Sequence, residues 1–383
     1  MPNITPKHEE QQWPRRTFLR QAAGAVTGLS LMSLAGCSDN DGNSTATQPE
    51  SSEATSTGTL PNLTGTTLTF ASSGGAYQQA ENTAWCKPFA AATGATIRQD
   101  GPAYEDAKIK VQIDSGNVTW DVVDQTTWWA LAHEDWLEPI NTSVVDISQL
   151  APEFRSQATK FAVPNLVYSM IQMYDNKFAA DPPKSWVDFF DLEKYPGKRG
   201  FPTYAAIAPL EVALLGTGTA PDELYPMNID EALTKLQPLK EHIVFYDDFA
   251  KSSQQLESKQ VALSLIPSGR GYDAVKNGAQ FGAQWNQSFT YTICSLALKG
   301  GKNIDAAMEF INFTLTPEAQ APIPELIAYG IVNPKAEPKL DKLQTSFLPT
   351  TKEHAGQAII ADPEWWSKNY VAAFEKYTAW QVG

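Results

Sequence analysis

Alternation of β-rich and helix-forming segments is the feature of this 383-residue chain that most restricts its fold. From Leu60 onward, short β-rich runs are each followed by a helical pattern, and the first two of these patterns end at a glycine. The β-rich runs are 65–73, 95–100 and 119–126, and the helical patterns are 76–94, 104–117 and 127–137. Three such steps within about 80 residues predict a parallel sheet with crossover helices.

The second half of the chain repeats this alternation. The pattern predicts strands at 162–178, 261–266 and 288–301, helices at 228–243, 303–320 and 364–380, and a loop at 267–270. The chain is long enough for one large domain or two lobes. We therefore expect an α/β protein of two lobes, with its ligand at the carboxyl ends of the strands.

The first 59 residues have a different character. Arg15 and Arg16 precede an uncharged apolar run, 22–35, and the string "LAGC" overlaps its end and finishes at Cys37. The run is too short to span a bilayer and has the layout of an export signal. It resembles a twin-arginine (Tat) signal followed by a lipobox, in which Cys37 would be lipidated; an ordinary signal peptide that contains a cysteine is the alternative. Residues 1–36 are then a signal peptide, and the polar residues 37–59 a disordered tether.

Charge and composition exclude some functions. The net charge of −14 and the lack of a basic patch argue against nucleic acid and are compatible with a cationic ligand. None of the four histidines has a partner at metal-site spacing, so no metal or other cofactor is expected. Beyond Cys37 the chain has Cys86 and Cys294, which could pair in an oxidising compartment or stay buried and unpaired.

Several stretches resemble one family. These are "GGAYQQAENTAWCKPFAAATG", "SGNVTWDVVD", "PPKSWVDFFDLEKYPGKRG", "WNQ" and "AAMEFINFTLTPEAQ…LIAYGIVNPKA", which run from about Leu68 to Lys335. They are similar to extracellular solute-binding proteins of ABC importers, nearest to the spermidine/putrescine-binding group. The resemblance implies a two-lobed type II periplasmic-binding fold with hinge-crossing strands, which closes on a solute and delivers it to a permease and its ATPase.

The resemblance also implies a domain division and a location. One lobe would comprise 60–167 and 294–330, and the other 168–293 and 331–383. The protein would be a monomer in the periplasm or at the cell surface, held at the membrane only by its lipid. An exported enzyme or a sensor lipoprotein on the same scaffold is the alternative, although no Gly-x-Ser-x-Gly motif or P-loop lysine occurs.

The resemblance implies a set of site residues. Gly75 and Tyr77 match the family's first loop, Thr126 and Trp128 its second, and Glu211 a carboxylate that holds an amino group. Trp128 or its neighbour Trp129 could instead cover the core, and Glu211 could face solvent. Asp124 is expected either to bind an amine or to cap the next helix, and Tyr291 and Tyr329 are further candidates.

The chain departs from the polyamine binders at several of these positions. Pro267-Ser268-Gly269-Arg270 replaces their Trp-Asn-Gly-Ser, and Ala208, Thr292 and Cys294 replace acidic and aromatic residues. Arg270 and Glu211 could therefore clamp a zwitterion such as 4-aminobutyrate, with the guanidinium on its carboxylate. A salt bridge from Arg270 to Glu211 or Asp273 is the structural alternative. The ligand is thus expected to be a polyamine or an amino-acid-like zwitterion.

Overall fold

The computed structural model describes residues 60–383. The predicted signal peptide, tether and lipidated Cys37 lie outside the described residues. The strands are β1 (Thr67–Ala71), β2 (Thr96–Asp100), β3 (Val122–Thr126), β4 (Val163–Asp175), β5 (Arg199–Pro202), β6 (Ile243–Tyr246), β7 (Leu263–Pro267), β8 (Phe281–Ala297), β9 (Gly330–Ile331) and β10 (Ile359–Ile360).

Helices connect and cover these strands. They are α1 (Gly75–Glu81), α2 (Lys87–Thr93), α3 (Asp106–Ser115), α4 (Thr127–Ala132), α5 (Pro152–Arg155), α6 (Trp186–Phe190), α7 (Pro209–Gly216), α8 (Ile229–Leu236), α9 (Phe249–Glu257), α10 (Ser268–Lys276), α11 (Ile304–Thr314), α12 (Pro317–Gln320), α13 (Pro322–Ile327), α14 (Lys342–Ser346), α15 (Lys352–Ala355) and α16 (Pro363–Val382). A π-helical turn, Asn82–Cys86, joins α1 to α2.

The sheet has two parallel sets of strands on either side of a long antiparallel pair. Its order is β2-β1-β3-β8-β4-β7-β5-β6, with β10 added on β8 and β9 on β4. β1 pairs in parallel with β2 and β3, and β5 pairs in parallel with β6 and β7. The central strands β4 and β8 are 13 and 17 residues long and join the two sets, because β8 pairs antiparallel with β3, β4 pairs antiparallel with β7, and the two pair with each other. This is the arrangement expected of strands that cross between two lobes.

The register brings the carboxyl ends of both sets to one place. Thr126 at the end of β3 pairs with Ile293, which pairs with Leu166 in β4. Pro267 at the end of β7 pairs with Met170, only four positions further along β4. Loops that follow either set therefore converge around the middle of β4, where ligands bind in open α/β sheets.

Most of the predicted elements are confirmed. The first helical pattern ends at Gly94 and the second at Gly116, both in the left-handed conformation that glycine favours. Thr316 caps α12 through its side chain, and the aromatic helix near the C-terminus is α16. The predicted helix at 228–243 is shorter, because a 3₁₀ turn and then β6 follow α8.

The loop prediction at 267–270 was wrong. Residues from Ser268 onward form α10, and Arg270 lies in its first turn. Gly269, whose presence suggested a loop, allows close packing instead: a Cβ there would lie 2.5 Å from the Ile327 carbonyl oxygen and 2.5 Å from the Tyr329 ring. The glycine therefore lets the helix approach its neighbours, at the cost of a weaker intrinsic helix propensity.

The two remaining cysteines are both free and buried. Burial is the main cause that raises the pKa of each thiol, Cys86 and Cys294, to about 12. Of the two readings left open by the sequence, the structure shows the unpaired one. Among residues 60–383, no helix is long and apolar enough to cross a membrane.

Candidate functional site

A cavity of about 490 Å³ lies where the two sets of strands end. One side is formed by residues that follow or end β1, β2 and β3, and the other by residues that follow β5 and β6. Tyr168 from β4, Ile293 from β8, Arg270 and Tyr329 complete the lining. The volume is in the range of small-molecule sites.

Arg270 supplies a buried positive charge to this cavity. Its side chain is only 7% exposed, and its Nη1 lies 3.5 Å from the Asp273 carboxylate, a long contact. The Arg270 Nε has no hydrogen-bond partner among the described residues. A guanidinium can donate five hydrogen bonds in a planar fork that matches a carboxylate. Arg270 therefore retains most of its capacity to bind an anionic group.

Asp124 supplies the opposite charge. The Tyr77 hydroxyl donates to Asp124 Oδ2 at 2.8 Å, and Asn165 Nδ2 donates to Oδ1 at 3.0 Å. Both Tyr77 and Asp124 line the cavity. Asp124 lies within β3 and does not cap α4, whose N-cap residue is Thr126. Of the two roles considered for Asp124, the capping role is therefore wrong.

Aromatic rings form the walls. The Tyr329 ring lies 5.7 Å from those of both Tyr77 and Tyr168, measured between centroids. Trp128 lines the cavity, and its ring packs 5.4 Å from that of Tyr370 on α16. Thr126 Oγ1 and Trp128 Nε1 have no hydrogen-bond partner within 60–383. These groups offer apolar faces together with a few free polar atoms, which is typical of ligand sites.

Glu211 does not line this cavity. It is 0% exposed in α7, and its Oε1 accepts hydrogen bonds from Tyr225 Oη at 2.6 Å and Trp366 Nε1 at 2.8 Å. Burial raises the pKa of this carboxyl, against the lowering effect of its donors. The expected clamp between Arg270 and Glu211 is absent, and so is the solvent-facing alternative. Glu211 instead ties α16 to α7.

Tyr291 differs from the sequence-based interpretation, whereas Trp129 takes the alternative role of covering the core. Tyr291 is not in the cavity lining, because it pairs with Tyr168 across β4 and β8 and stacks on that ring at 5.4 Å. Trp129 is a core residue whose Nε1 donates to Asp106 at 2.7 Å. Gly75, Tyr77, Asp124, Thr126, Trp128, Arg270 and Tyr329 all line the cavity.

Sequence analysis missed several lining residues. Tyr204 follows β5, and Asp247 and Asp248 follow β6. The predicted helix at 228–243 runs into Ile243, the first residue of β6, and no strand is predicted directly after it. The loop that follows β6 was therefore not recognised as following a strand. Tyr168 lies inside a strand that is buried along most of its length, and no local pattern separates it from a core tyrosine. In the described part of the chain, no group of three or more His, Cys, Asp or Glu could hold a metal.

Comparisons with known proteins agree with this architecture. The family model for "Bacterial extracellular solute-binding protein" matches residues 84–350. The chain is 32% identical over 321 residues to the gamma-aminobutyric acid-binding protein of Pseudomonas aeruginosa, covering 82% of this chain and 90% of that protein. It is 25% identical over 240 residues to the spermidine/putrescine-binding periplasmic protein of Escherichia coli, covering 59% and 66% respectively.

Solved structures give the same result. The structure of the "Atu4243-GABA receptor" shares 33% identity, with a TM-score of 0.75, over 82% of this chain and 97% of that chain. The structure of the binding protein AgtB from A. tumefaciens R10 in complex with agropinic acid shares 29% identity, with a TM-score of 0.74, over 83% and 99%.

Fold and cavity together define a two-lobed binding protein of the periplasmic type, as predicted. The family match covers more than half of the sequence. The chain belongs to the bacterial extracellular solute-binding proteins, the class that captures solutes for ABC importers.

Proposed function

We propose that this protein binds a small zwitterion, with a carboxylate at one end and an ammonium group at the other. The observation that carries the proposal is the incompletely paired Arg270 guanidinium in the cavity. A buried arginine without a full set of partners is costly, and a ligand carboxylate would provide the missing hydrogen bonds.

The ammonium end is assigned to the side of the cavity that carries Asp124. The carboxylate of Asp124 and the hydroxyl oxygen of Tyr77 are both acceptors there. Trp128 offers a ring face nearby, and an ammonium over such a face gains roughly 0.5–2 kcal/mol. Asp124 thus takes the role that sequence analysis gave to Glu211.

The named ligands of the relatives support this chemistry. Gamma-aminobutyric acid, which the P. aeruginosa relative is named for binding, is a zwitterion of this type. The A. tumefaciens relative AgtB was solved in complex with agropinic acid, so its ligand is an acid as well. In both cases a carboxylate has to be accommodated, and Arg270 would do so here.

A polyamine is the second candidate, favoured by one observation. Asp247 and Asp248 line the cavity on the side opposite Asp124. Their carboxylates are partly occupied, since Lys251 bonds Asp247 and the Ala250 amide donates to Asp248 at 2.6 Å. A diamine would also leave Arg270 beside a second positive charge, so the zwitterion fits better.

We also propose the division into lobes 60–167 with 294–330 and 168–293 with 331–383, which close on the solute and present it to a permease and its ATPase. The protein would bind without catalysis and act as a monomer. Tat export and lipidation at Cys37 would hold it at a membrane in the periplasm or at the cell surface. Fractionation of cells that express Cys37→Ser tests the anchor, and the variant is expected to lose its association with the membrane.

Isothermal calorimetry with three four-carbon ligands tests the proposed ligand class. These are 4-aminobutyrate, with one ammonium group and one carboxylate, putrescine, with two ammonium groups, and succinate, with two carboxylates. Bound ligand is first removed by unfolding and refolding. The proposal expects binding of 4-aminobutyrate alone; binding of putrescine alone would replace it with the polyamine candidate.

A further inference from the structure

A second carboxyl group lies directly behind the cavity wall. Glu81, the last residue of α1, is 0% exposed and stands next to the π-helical turn. Its Oε2 accepts a hydrogen bond from the Ser72 hydroxyl, whereas its Oε1 has no donor among the described residues. Burial raises the pKa of Glu81, and so do the charge of Asp124 and a side-chain hydrogen bond to Asp124, which makes the two carboxyl groups neighbours. π-Helical turns of this kind often occur at functional sites.

The hydrogen-bond donors around the pair show where one proton resides. Asp124 receives donors from Tyr77, Asn165 and Ser295, at 2.8, 3.0 and 3.2 Å. Glu81 accepts from Ser72. The Tyr77 hydroxyl also lies near Glu81, but its single hydrogen is donated to Asp124 at 2.8 Å. Two adjacent buried carboxyl groups do not both ionise, because their negative charges repel each other without water to screen them. The charge belongs on Asp124, which has more donors, and the proton on Glu81 Oε1.

We infer that Glu81 is a neutral positioning residue whose hydroxyl donates to Asp124, so that the ammonium side of the cavity carries one negative charge rather than two. The inference rests on the proposed zwitterion function. It adds the reason why one ammonium group, and not two, is accommodated on this side. It also completes the hydrogen bonding of Glu81, whose Oε1 would otherwise be buried without a partner.

The same network fixes the polarity of Tyr77. Its hydroxyl hydrogen is committed to Asp124, so the oxygen has only lone pairs to offer the cavity. An ammonium group, which donates hydrogen bonds and accepts none, complements this surface. A ligand end that only accepts hydrogen bonds would find no donor at Tyr77 or Asp124. Glu81 thus contributes to specificity without touching the ligand.

The surrounding groups leave this assignment intact. Burial raises the pKa of Glu81 well above its usual range, and the Asp124 charge raises it further. Burial also raises the pKa of Tyr77 well above its ordinary value and those of Cys86 and Tyr329 to about 12, so all three are neutral at physiological pH. The positive charge in the same cavity is that of Arg270.

An infrared difference spectrum of the ligand-free protein tests the inference without any ligand. The spectrum of Glu81→Gln is subtracted from that of the wild type at neutral pH. The carbonyl band of a protonated carboxyl group should be present in the wild type and lost in the variant. Loss of ionised-carboxylate bands instead would overturn the inference, whatever the ligand proves to be.

The pH profile of affinity for 4-aminobutyrate distinguishes a Glu81 that donates a hydrogen bond to Asp124 from a Glu81 that only supports the fold. The side-chain amide that Glu81→Gln introduces can still donate to Asp124 and accept from Ser72, so affinity should stay within about threefold at neutral pH. Glu81→Met removes the donor, so the pH at which affinity falls should move upward by about one unit, with a loss of about tenfold at mildly acidic pH.

Equal loss of affinity in both variants at neutral pH would contradict the inference. Should Glu81→Met fail to fold, the spectrum and the Glu81→Gln profile still decide the matter. If no zwitterion binds the wild type at all, the proposed function fails, and the infrared band alone decides whether Glu81 is neutral.

Discussion

The guanidinium group of Arg270 lies against the backbone of Gly75. A Cβ built at Gly75 would be 3.4 Å from Arg270 Nη2 and 3.9 Å from Nη1. Gly75 begins α1, after the first strand of one parallel set, and Arg270 follows the last strand of the other. The two residues therefore meet across the cavity, and the small size of glycine leaves the guanidinium room to face a ligand.

Gly75→Ala should weaken ligand binding by about tenfold, which corresponds to about 1.4 kcal/mol. The new methyl group would contact the guanidinium, and the backbone φ of +64° is unfavourable for alanine. Gly74→Ala is the matched control, because its φ of +80° is also strained but its Cβ would meet only Gln78 Oε1, at 4.0 Å. Calorimetry that finds equal losses in both variants would assign the effect to strain alone.

Glu211→Ala should lower the free energy of unfolding by about 2–4 kcal/mol and leave affinity for the ligand unchanged within error. The change removes the acceptor that Tyr225 and Trp366 share in a buried place, and leaves the Tyr225 hydroxyl hydrogen without a partner, since Trp366 Nε1 can still contact Tyr225 Oη at 3.3 Å. Glu211→Gln, which keeps an acceptor oxygen, should be milder. Urea unfolding measures the first quantity and calorimetry the second. A loss of affinity at unchanged stability would return Glu211 to the binding site.

Trp128 and Trp129 are adjacent in sequence but have different roles. Trp128→Leu should reduce affinity for an ammonium-bearing ligand by about 2- to 30-fold, the range of a lost cation–π contact. Trp129→Leu should lower the free energy of unfolding by more than about 2 kcal/mol, because the residue is buried and bonds Asp106. Calorimetry measures affinity and urea unfolding measures stability. A loss of affinity in Trp129→Leu together with a loss of stability alone in Trp128→Leu would contradict the assignment.

His133 should make stability depend on pH. Its Nδ1 contacts the Trp129 carbonyl oxygen at 3.0 Å, and its Nε2 lies 3.1 Å from the Tyr370 hydroxyl. Burial lowers the pKa of His133, against the raising effect of Asp106. The unfolded chain thus takes up a proton from about pH 6.5 downward, while the folded protein stays neutral until lower pH.

The contribution of His133 to the free energy of unfolding is therefore fully present above its unfolded pKa and is lost as the pH falls through its lowered folded pKa. His133→Gln should lose less stability than the wild type between about pH 7 and about pH 5 in urea unfolding. The buried acids Glu81, Asp124 and Glu211 have raised pKa values and act in the opposite sense, but they are common to both proteins. Parallel pH profiles would contradict the prediction.

The sequence predicted the parts of the fold that local patterns determine. Gly94 and Gly116 end helices in the left-handed conformation, which glycine adopts without the steric penalty that a Cβ would bring. At Gly269 the same residue type serves close packing inside a helix, and only the tertiary neighbours Ile327 and Tyr329 distinguish the two uses. Local patterns therefore could not reveal that Arg270 is held on a helix.

Site residues were predictable where a strand end was visible in the sequence. Tyr77, Asp124 and Trp128 follow or end recognised strands, and all three line the cavity. Glu211 was misassigned because its hydrogen-bond donors, Tyr225 and Trp366, are 14 and 155 residues away in the chain. Glu81 was not considered, since its role depends on the carboxyl group of Asp124, which lies far away in the sequence, in β3.

Calorimetry of 4-aminobutyrate with Arg270→Gln is the most direct test of the central claim. Removing the charge that holds the ligand carboxylate should cost about 2–5 kcal/mol of binding free energy, a loss of at least about 30-fold in affinity. Arg98→Gln, at an exposed position of β2 outside the cavity lining, should have no effect. Unchanged affinity for 4-aminobutyrate in Arg270→Gln would contradict the claim that Arg270 holds the ligand carboxylate.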